Sequence, residues 1–199
     1  MSDLQCAARI ILARHGDAEY EQDRTGVEGG SLSMLGRGQA RRLGEELRPE
    51  RVAAVVSSTL SRAVQTGELA AGVLGVEMSV REGLQEVGVG AMYGQPFDPA
   101  VAEPVMRAWR RGELGAAMPG GGESGAEACA RVLPVLESVA DTFRGETVLV
   151  ISHGGVIQAL LGRFSPDPNG TGDLRNCDHF LFEVDADGWR GPSVGSDPT

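Results

Sequence analysis

RIILARHG, at residues 9–16, is a short apolar run that ends in a cation, a histidine and a glycine. A continuous apolar run with β-branched residues is typical of a strand buried on both faces of a sheet. Polar residues that follow such a strand lie at the carboxyl edge of the sheet, where open α/β sheets bind ligands. Gly16 would let the backbone turn tightly and approach a bound group. Taken alone, Arg14-His15-Gly16 is equally consistent with polar residues that merely leave a strand.

A second run of the same kind lies far downstream. TVLVISHGG, at residues 147–155, again ends in a histidine followed by glycines, His153 and Gly154 among them. Between the two runs, Val52 to Thr66 indicates another apolar strand, a small polar turn and then Arg62 in the first turn of a helix. A cation at a helix N-terminus is unfavourable by about 0.3–1 kcal/mol, so another interaction should hold Arg62 there. Arginines that match phosphoryl oxygens, beside a nucleophilic histidine, indicate a site for a phosphoryl group.

Length and charge limit the alternatives. The 199 residues are enough for one α/β domain with a full core. We expect a single domain over residues 1–199, with its core at about 8–186 and a loose C-terminal tail. The net charge of −10 opposes nucleic acid and anionic membrane, so an anionic substrate needs a local positive pocket. All 18 basic residues are arginine, which excludes a Schiff-base lysine and the lysine of a phosphate-binding Gly-x-x-x-x-Gly-Lys loop.

Cysteine use and the N-terminal sequence predict a cytoplasmic protein. Cys6, Cys129 and Cys177 are odd in number and widely spaced, which favours reduced thiols over a disulfide framework, and no pair has metal-ligand spacing. The first ten residues lack a positive segment followed by an apolar core. No apolar run approaches the roughly 20 residues of a membrane span. We therefore expect neither a membrane nor a nucleic-acid partner.

The rest of the chain alternates helical and strand patterns. Ser57-Ser58-Thr59 and Ser61 are typical helix-start residues, and Ser124 with Glu127 forms a capping box. His179 carries no motif, and we interpret it as structural. The expected helices are 33–47, about 61–75, 98–111, 124–143 and 154–163; the further strands are 77–80 and, at an edge, 179–184; and 112–122 is expected to be a mobile glycine-rich loop.

Six segments, in order, carry a resemblance to a known family. They are LARHG at 12–16, LSMLGRGQA at 32–40, SSTLSRAVQT at 57–66, LQEVGVGAMYG at 84–94, GGES at 121–124 and VISHGG at 150–155. With these segments the chain resembles the histidine phosphatases, the superfamily of cofactor-dependent phosphoglycerate mutases and related acid phosphatases, in the branch with the RHG motif. The resemblance implies a phosphoglycerate mutase-like α/β fold, a three-layer α/β/α sandwich with a mostly parallel central sheet.

The resemblance also implies roles for five side chains. His15 would be the nucleophile of a two-step phosphoryl transfer through a phosphohistidine. Arg14, Arg62 and His153 would hold the phosphoryl oxygens and stabilise charge in the transition state. Glu86 would protonate the leaving alkoxide and then activate water. Neither a metal ion nor another cofactor is required, because arginines and histidines take the metal's electrostatic role.

Several further residues are expected to contact the substrate. The glycines that follow the two histidines, Gly16 and Gly154, would bring backbone close to the bound group. The resemblance places Tyr93, the aromatic residue before a glycine, at the pocket rim, and Glu123 of the Gly-Glu-Ser segment facing the pocket. Many members have a phosphate-contacting asparagine seven residues after the motif arginine, where this chain has Glu21. Glu21 either points away or faces a different substrate group.

The function expected from these residues is a metal-independent phosphomonoesterase that hydrolyses a small phosphorylated metabolite. Glu21 and the modest interval between Glu86 and Glu123 favour a phosphatase over a phosphoglycerate mutase-type phosphoryl transferase. The remaining alternative is a non-catalytic member that binds a phosphorylated ligand. A homodimer is a further expectation. If Trp109 or Phe97 is exposed, it would mark the dimer interface; if it is buried, it would belong to the core.

Overall fold

The computed structural model of the chain describes residues 6–20, 30–96, 98–167, 169 and 174–194. The strands are β1 (Ala8–Arg14), β2 (Ala18–Glu19), β3 (Ser31–Leu32), β4 (Val52–Ser57), β5 (Glu77–Val80), β6 (Thr147–Ser152), β7 (His179–Asp185) and β8 (Gly188–Val194). The α-helices are α1 (Met34–Glu46), α2 (Ser61–Leu74), α3 (Pro99–Arg110), α4 (Gly125–Thr142) and α5 (Gly154–Phe164). No helix of the described ranges is long and apolar enough to cross a bilayer.

A six-stranded sheet forms the middle layer, in the order β5-β4-β6-β1-β7-β8. The first four strands in this order are mutually parallel. β7 runs antiparallel to β1, and β8 antiparallel to β7. The predicted α/β fold with a mostly parallel central sheet is therefore confirmed. Parallel strands place their carboxyl ends at one edge, so the ends of β4, β6 and β1 lie side by side.

The uniformly apolar runs are explained by burial on both faces of the sheet. On one face, Ile10 and Leu12 of β1 pack with Val148 and Val150 of β6 against α3, α4 and α5. On the other face, the alternate residues, Ile11 and Ala13 among them, pack against α1 and α2. Because each strand buries both sets of side chains, it shows no polar alternation in sequence. The predicted three-layer sandwich is confirmed.

The helix starts agree with the sequence. Ser33 caps α1, and the predicted capping box of Ser124 and Glu127 opens α4. Helix α2 begins at Ser61, as expected, although its N-cap is Leu60, which makes no side-chain cap hydrogen bond. Ser58, one of the four polar residues expected at this helix start, contacts a histidine in the site described below.

The glycine-rich segment 112–122, expected to be a mobile loop, is tied to the core at one buried side chain. Met118 in its centre is 2% exposed, and its backbone N–H donates to the carbonyl of Glu123 at 3.1 Å. The indole of Trp109 is fully buried and donates to the carbonyl of Ala116 at 2.7 Å. Trp109 is thus a core residue and not an interface marker, whereas Phe97 lies outside the described residues.

The C-terminal prediction is also wrong. β7 is not an edge strand, because residues 188–194 form β8 alongside it, where a loose tail was expected. Gly188, with a φ of +111°, makes the tight turn that joins the two strands. Trp189 then stacks on Phe164, with 5.2 Å between ring centroids. This aromatic contact gives β8 a partly buried anchor that a short, polar terminal sequence does not reveal.

Two glycines bring α1 against the turn that follows β1. A Cβ atom on Gly36 would lie 1.9 Å from the carbonyl oxygen of Asp17, and a Cβ on Gly16 would lie 2.7 Å from the carbonyl oxygen of Gly36. Ser33, the N-cap of α1, donates its hydroxyl to the Asp17 carboxylate at 2.5 Å. The absence of a side chain at Gly16 therefore permits a close backbone approach to α1.

Gly36→Ala should lower the free energy of unfolding by about 1–3 kcal/mol, because the methyl group meets backbone that cannot move aside cheaply. Gly38→Ala is the matched control on the same helix, since a Cβ there meets no atom within 4 Å. Alanine at that exposed helical position should raise stability by up to about 1 kcal/mol. Urea denaturation of both variants measures the difference. Equal effects at the two positions would contradict the close approach.

Candidate active site

The two motif histidines meet at the carboxyl edge of the sheet. His15 follows β1 and His153 follows β6, and these strands are hydrogen-bonded neighbours. The imidazole centroids are 5.2 Å apart. Both rings are buried, with residue exposures of 4% for His15 and 0% for His153. The structure therefore brings together two side chains that lie 138 residues apart in sequence.

The hydrogen bonds of His15 define its tautomer. Nδ1 lies 2.7 Å from the carbonyl oxygen of Gly16, which can only accept, so Nδ1 carries the proton. Nε2 accepts from Nε of Arg62 at 3.2 Å, so it bears a lone pair. A neutral imidazole with an unprotonated nitrogen beside a guanidinium group is equipped for nucleophilic attack on an anionic group.

Burial keeps both imidazoles neutral. It is the largest cause that lowers the pKa of His15, from 6.5 to about 3; the positive charges of Arg62 and Arg14 act in the same direction, and the bond to Gly16 opposes them. Burial likewise lowers the pKa of His153 well below its ordinary value, again assisted by Arg62. The unprotonated form of His15 therefore persists through the neutral and mildly acidic range.

The pKa of His15 can be tested by ¹⁵N NMR of the histidine rings, of which the chain has three. We expect the His15 ring to stay unprotonated down to about pH 4, because its folded-state pKa is about 3. In the denatured chain the same ring should titrate near 6.5. The unfolded state thus binds a proton that the folded state does not, and stability falls as the pH drops below about 6.5. A native His15 titration near pH 6–7 would contradict this picture.

His153 and Arg14 each present a buried nitrogen without a partner. Nε2 of His153 lies 2.6 Å from Oγ of Ser58, which also accepts from the backbone N–H of Leu60 at 3.4 Å. If the Ser58 hydroxyl donates to Nε2, the ring proton of His153 lies on Nδ1. Nδ1 of His153 and Nε of Arg14 have no hydrogen-bond partner among the described residues. Buried polar nitrogens are almost always paired, so these two unpaired ones are available to a bound group.

Arg62 is held at the start of α2 by contacts outside the helix. It is 6% exposed, and besides its bond to His15 its guanidinium lies 5.6 Å from the ring centroid of Tyr20. Thr66 one turn later donates to the carbonyl of Arg62 at 2.7 Å and accepts the N–H of Gly16 at 3.0 Å. The contacts of its guanidinium group with His15 and Tyr20 are the additional interaction that a cation at a helix N-terminus requires.

Glu86 reaches the same edge from the segment after β5. Its carboxylate accepts backbone N–H groups of Val87 at 2.9 Å, Gly155 at 3.2 Å and Val156 at 3.3 Å, the last two in the first turn of α5. A Cβ on Gly154 would lie 3.6 Å from Nε of Arg14 and 3.9 Å from Oε2 of Glu86. Glycine at position 154 therefore keeps the space between these two side chains clear.

The remaining expected substrate-binding residues are Glu123, Tyr93 and Glu21. Glu123 forms a two-point ion pair with Arg131 and also accepts the N–H of Gly88 at 3.0 Å, so its carboxylate is engaged in the protein. Tyr93 is 62% exposed, at the end of a 3-10 turn over Gly90–Met92. Glu21 lies outside the described residues.

Some residues of the site were missed from the sequence. Ser58 and Thr66 lie inside the SSTLSRAVQT segment, where Ser58 was interpreted as a helix-start residue and Thr66 was given no role. Asn176 had none: its side-chain amide donates to the carbonyl of His15 at 3.0 Å, and Leu174 accepts from Nη1 of Arg14 at 2.6 Å. Their segment reaches the site only because β7 pairs with β1.

Metal-ligand geometry does not occur here. Within the described ranges, no group of three or more His, Cys, Asp or Glu side chains is placed to hold a metal ion. The positive charge at the site comes instead from Arg14 and Arg62.

Comparisons with known proteins point to one family. The sequence matches the histidine phosphatase superfamily (branch 1) over residues 10–196. It is 30% identical over 190 residues to phosphoglycerate mutase-like protein 4 of Arabidopsis thaliana, covering 92% of this chain and 82% of that protein. Among solved structures, it is similar to Bacillus stearothermophilus YhfR, with 28% identity, a TM-score of 0.77 and coverage of 97% and 98% of the two chains. A mycobacterial glucosyl-3-phosphoglycerate phosphatase is 26% identical, with a TM-score of 0.75 and coverage of 96% and 99%.

Proposed function

This chain belongs to the histidine phosphatase superfamily (branch 1), and on that premise we propose that it is a metal-independent phosphomonoesterase that works through a phosphohistidine. One observation supports the proposal above the others. The unprotonated Nε2 of His15 lies against Arg62, beside two buried nitrogens, of Arg14 and His153, that have no partner in the described protein. This arrangement offers a nucleophile and a set of donors for one tetrahedral anion.

In the first step, Nε2 of His15 attacks phosphorus. The N–P bond forms as the P–O bond to the leaving group breaks, and the protonated carboxyl of Glu86 gives its proton to the departing oxygen. The imidazole becomes cationic, and its Nδ1–H remains bonded to the Gly16 carbonyl, which stabilises that charge. Arg62, already hydrogen-bonded to Nε2, is within reach of oxygens on a phosphorus bound to that nitrogen.

In the second step, water attacks the phosphohistidine. Glu86, now a carboxylate, takes a proton from the water as the new P–O bond forms and the N–P bond breaks. Inorganic phosphate leaves, His15 returns to its neutral form, and Glu86 regains the proton that it gave up. The cycle therefore balances without a metal ion or a second cofactor.

The relatives carry both mutase and phosphatase names, so the choice between these reactions depends on the fate of the phosphoryl group. A mutase must keep water from its phosphoenzyme, commonly by longer insertions between the acid and the Gly-Glu-Ser segment. Here the chain segment between Glu86 and Glu123 is of modest length. Two hydrogen bonds between Glu123 and Gly88 join its two ends. These features favour hydrolysis, and a small phosphorylated metabolite is the substrate class we propose.

The deciding experiment compares hydrolysis with positional exchange. Purified protein should release inorganic phosphate from 4-nitrophenyl phosphate and from members of a panel of phosphorylated metabolites, with EDTA present or absent. It should not interconvert 3- and 2-phosphoglycerate. Exchange faster than phosphate release would establish the mutase reaction instead, and phospho-ligand binding without turnover would establish the non-catalytic alternative. Loss of activity with EDTA, restored by a divalent cation, would contradict the metal-independent mechanism.

A further inference from the structure

Arg131, on the second turn of α4, binds the segment that carries Glu86. Its Nη1 donates to the carbonyl oxygens of Gly83 at 2.8 Å and of Gln85 at 3.0 Å. Its Nε and Nη2 donate to the two carboxylate oxygens of Glu123 at 2.9 and 2.8 Å. One guanidinium group thus makes four hydrogen bonds, two to the backbone just before Glu86.

Glu123 holds the other side of the same segment. Its Oε2 accepts the N–H of Gly88 at 3.0 Å, and its own backbone N–H donates to the carbonyl of Gly88 at 2.7 Å. The backbone is therefore fixed at positions 83 and 85 before Glu86 and at position 88 after it. The carboxylate that emerges between these fixed points is the one that accepts backbone N–H groups at the start of α5.

The ion pair is built on a rigid support and is largely shielded from water. The side chains of Arg131 and Glu123 are 29% and 16% exposed. Glu123 precedes Ser124, the N-cap of α4, whose capping box fixes the start of that helix. Planar two-point pairing of guanidinium with carboxylate restricts both side chains, and a lysine in place of the arginine could not reproduce it. Because Arg131 lies on α4 and Glu123 directly precedes its N-cap, the ion pair is held by a rigid element and can fix the segment that carries Glu86.

We propose that the Arg131–Glu123 pair is the positioning device of the acid–base residue, holding Glu86 at the distance from the substrate that proton transfer needs. Neither side chain would touch the substrate. The inference rests on the acid–base role of Glu86 under the proposed function, and it gives Glu123 a role different from the substrate contact expected from its sequence segment.

The test is the effect of Arg131→Met on leaving groups of different basicity. A displaced acid slows only the reactions that need its proton, and misplacement by about 1 Å can reduce a rate 10²-fold. In single turnover, alcohol release from the alkyl ester 2-glycerophosphate should fall by about 10–100-fold. Release of 4-nitrophenol, which needs little protonation, should change by less than about 3-fold.

Arg9→Met is the matched control. Arg9 is also an ion-paired, partly buried arginine, 2.8 Å from Glu50, but it lies at the start of β1, at the opposite end of that strand from His15. It should affect the two leaving groups equally. A double variant sharpens the comparison: adding Arg131→Met to Glu86→Gln should cause little further loss with the alkyl ester, because the acid is already absent.

The outcomes separate this inference from the function on which it rests. If Glu86→Gln discriminates between the two esters and Arg131→Met does not, the positioning role is wrong while the acid role stands. If Glu86→Gln itself does not discriminate, the acid role fails first. Should Arg131→Met not fold, Glu123→Gln, which keeps the side-chain shape, carries the test with the same expected selectivity. Equal losses for both esters, or additive losses in the double variant, would overturn the proposal.

Discussion

His15→Ala should reduce turnover by at least about 10⁴-fold and abolish covalent labelling by phosphate, since it removes the only nucleophile that the mechanism uses. Arg14, Arg62 and His153 remain, so the variant should still bind inorganic phosphate. Retained binding with lost chemistry is the signature expected of a missing nucleophile rather than of a collapsed pocket. The labelling is measured by rapid quench with ³²P-labelled substrate, followed by gel analysis under alkaline conditions that preserve phosphohistidine.

The third histidine of the chain provides the control. His179 lies at the start of β7, where Nδ1 is 3.4 Å from the carbonyl of Cys177, and we interpret it as structural. His179→Ala should retain labelling and most of the turnover. Persistent labelling of the His15→Ala protein would refute the assignment of the nucleophile, whatever the effect on steady-state rates.

Glu86→Gln should slow alcohol release from an alkyl phosphate by about 10²–10⁴-fold, because an amide of the same shape has no proton to transfer. Release of 4-nitrophenol in the first turnover should be nearly unaffected, since that leaving group departs as an anion. Hydrolysis of the phosphoenzyme also needs Glu86, as the base that activates water. With the aryl ester the variant should therefore show a rapid burst of nitrophenol, followed by slow turnover and accumulation of phosphohistidine.

Stopped-flow absorbance and the labelling assay measure these two phases separately. Glu103→Gln, at an exposed ion pair with Arg107 on α3, removes a carboxylate elsewhere and should change neither phase. Equal slowing of alkyl and aryl esters by Glu86→Gln would show that the side chain is not the acid. A burst without accumulated phosphoenzyme would show that it is not the base of the second step.

The sequence was most informative where a strand ends. An apolar run followed by a histidine specifies both a buried strand and the sheet edge at which the histidine emerges, so His15 and His153 could be expected to meet if their strands were neighbours. The pairing of β1 with β6 was not predicted from these patterns, and the two helical layers were implied by the family resemblance. The local patterns thus predicted where each histidine lies relative to its own strand, but not which strands are neighbours.

Residues that act through a single hydrogen bond were beyond such reasoning. A serine near a helix start fits a capping role, and only the structure shows the Ser58 hydroxyl on His153. Asn176 depends on a strand pairing that closes late in the chain, and no local pattern reports it. The family resemblance placed Glu123 facing the pocket. Its ion-pair partner, Arg131, lies eight residues later on α4, and the sequence did not show that this pairing would engage the carboxylate.

The placement of β1 in the sheet has a consequence for synthesis. This strand is translated well before its two sheet neighbours, β6 and β7, which end at residues 152 and 185. A nascent chain on the ribosome therefore carries this apolar segment without a sheet partner until β6 has emerged. Such long-range pairing folds slowly and leaves the segment available to chaperones in the meantime. His15, which stands at the end of β1, takes its place in the site only after β6 and β7 have been synthesised.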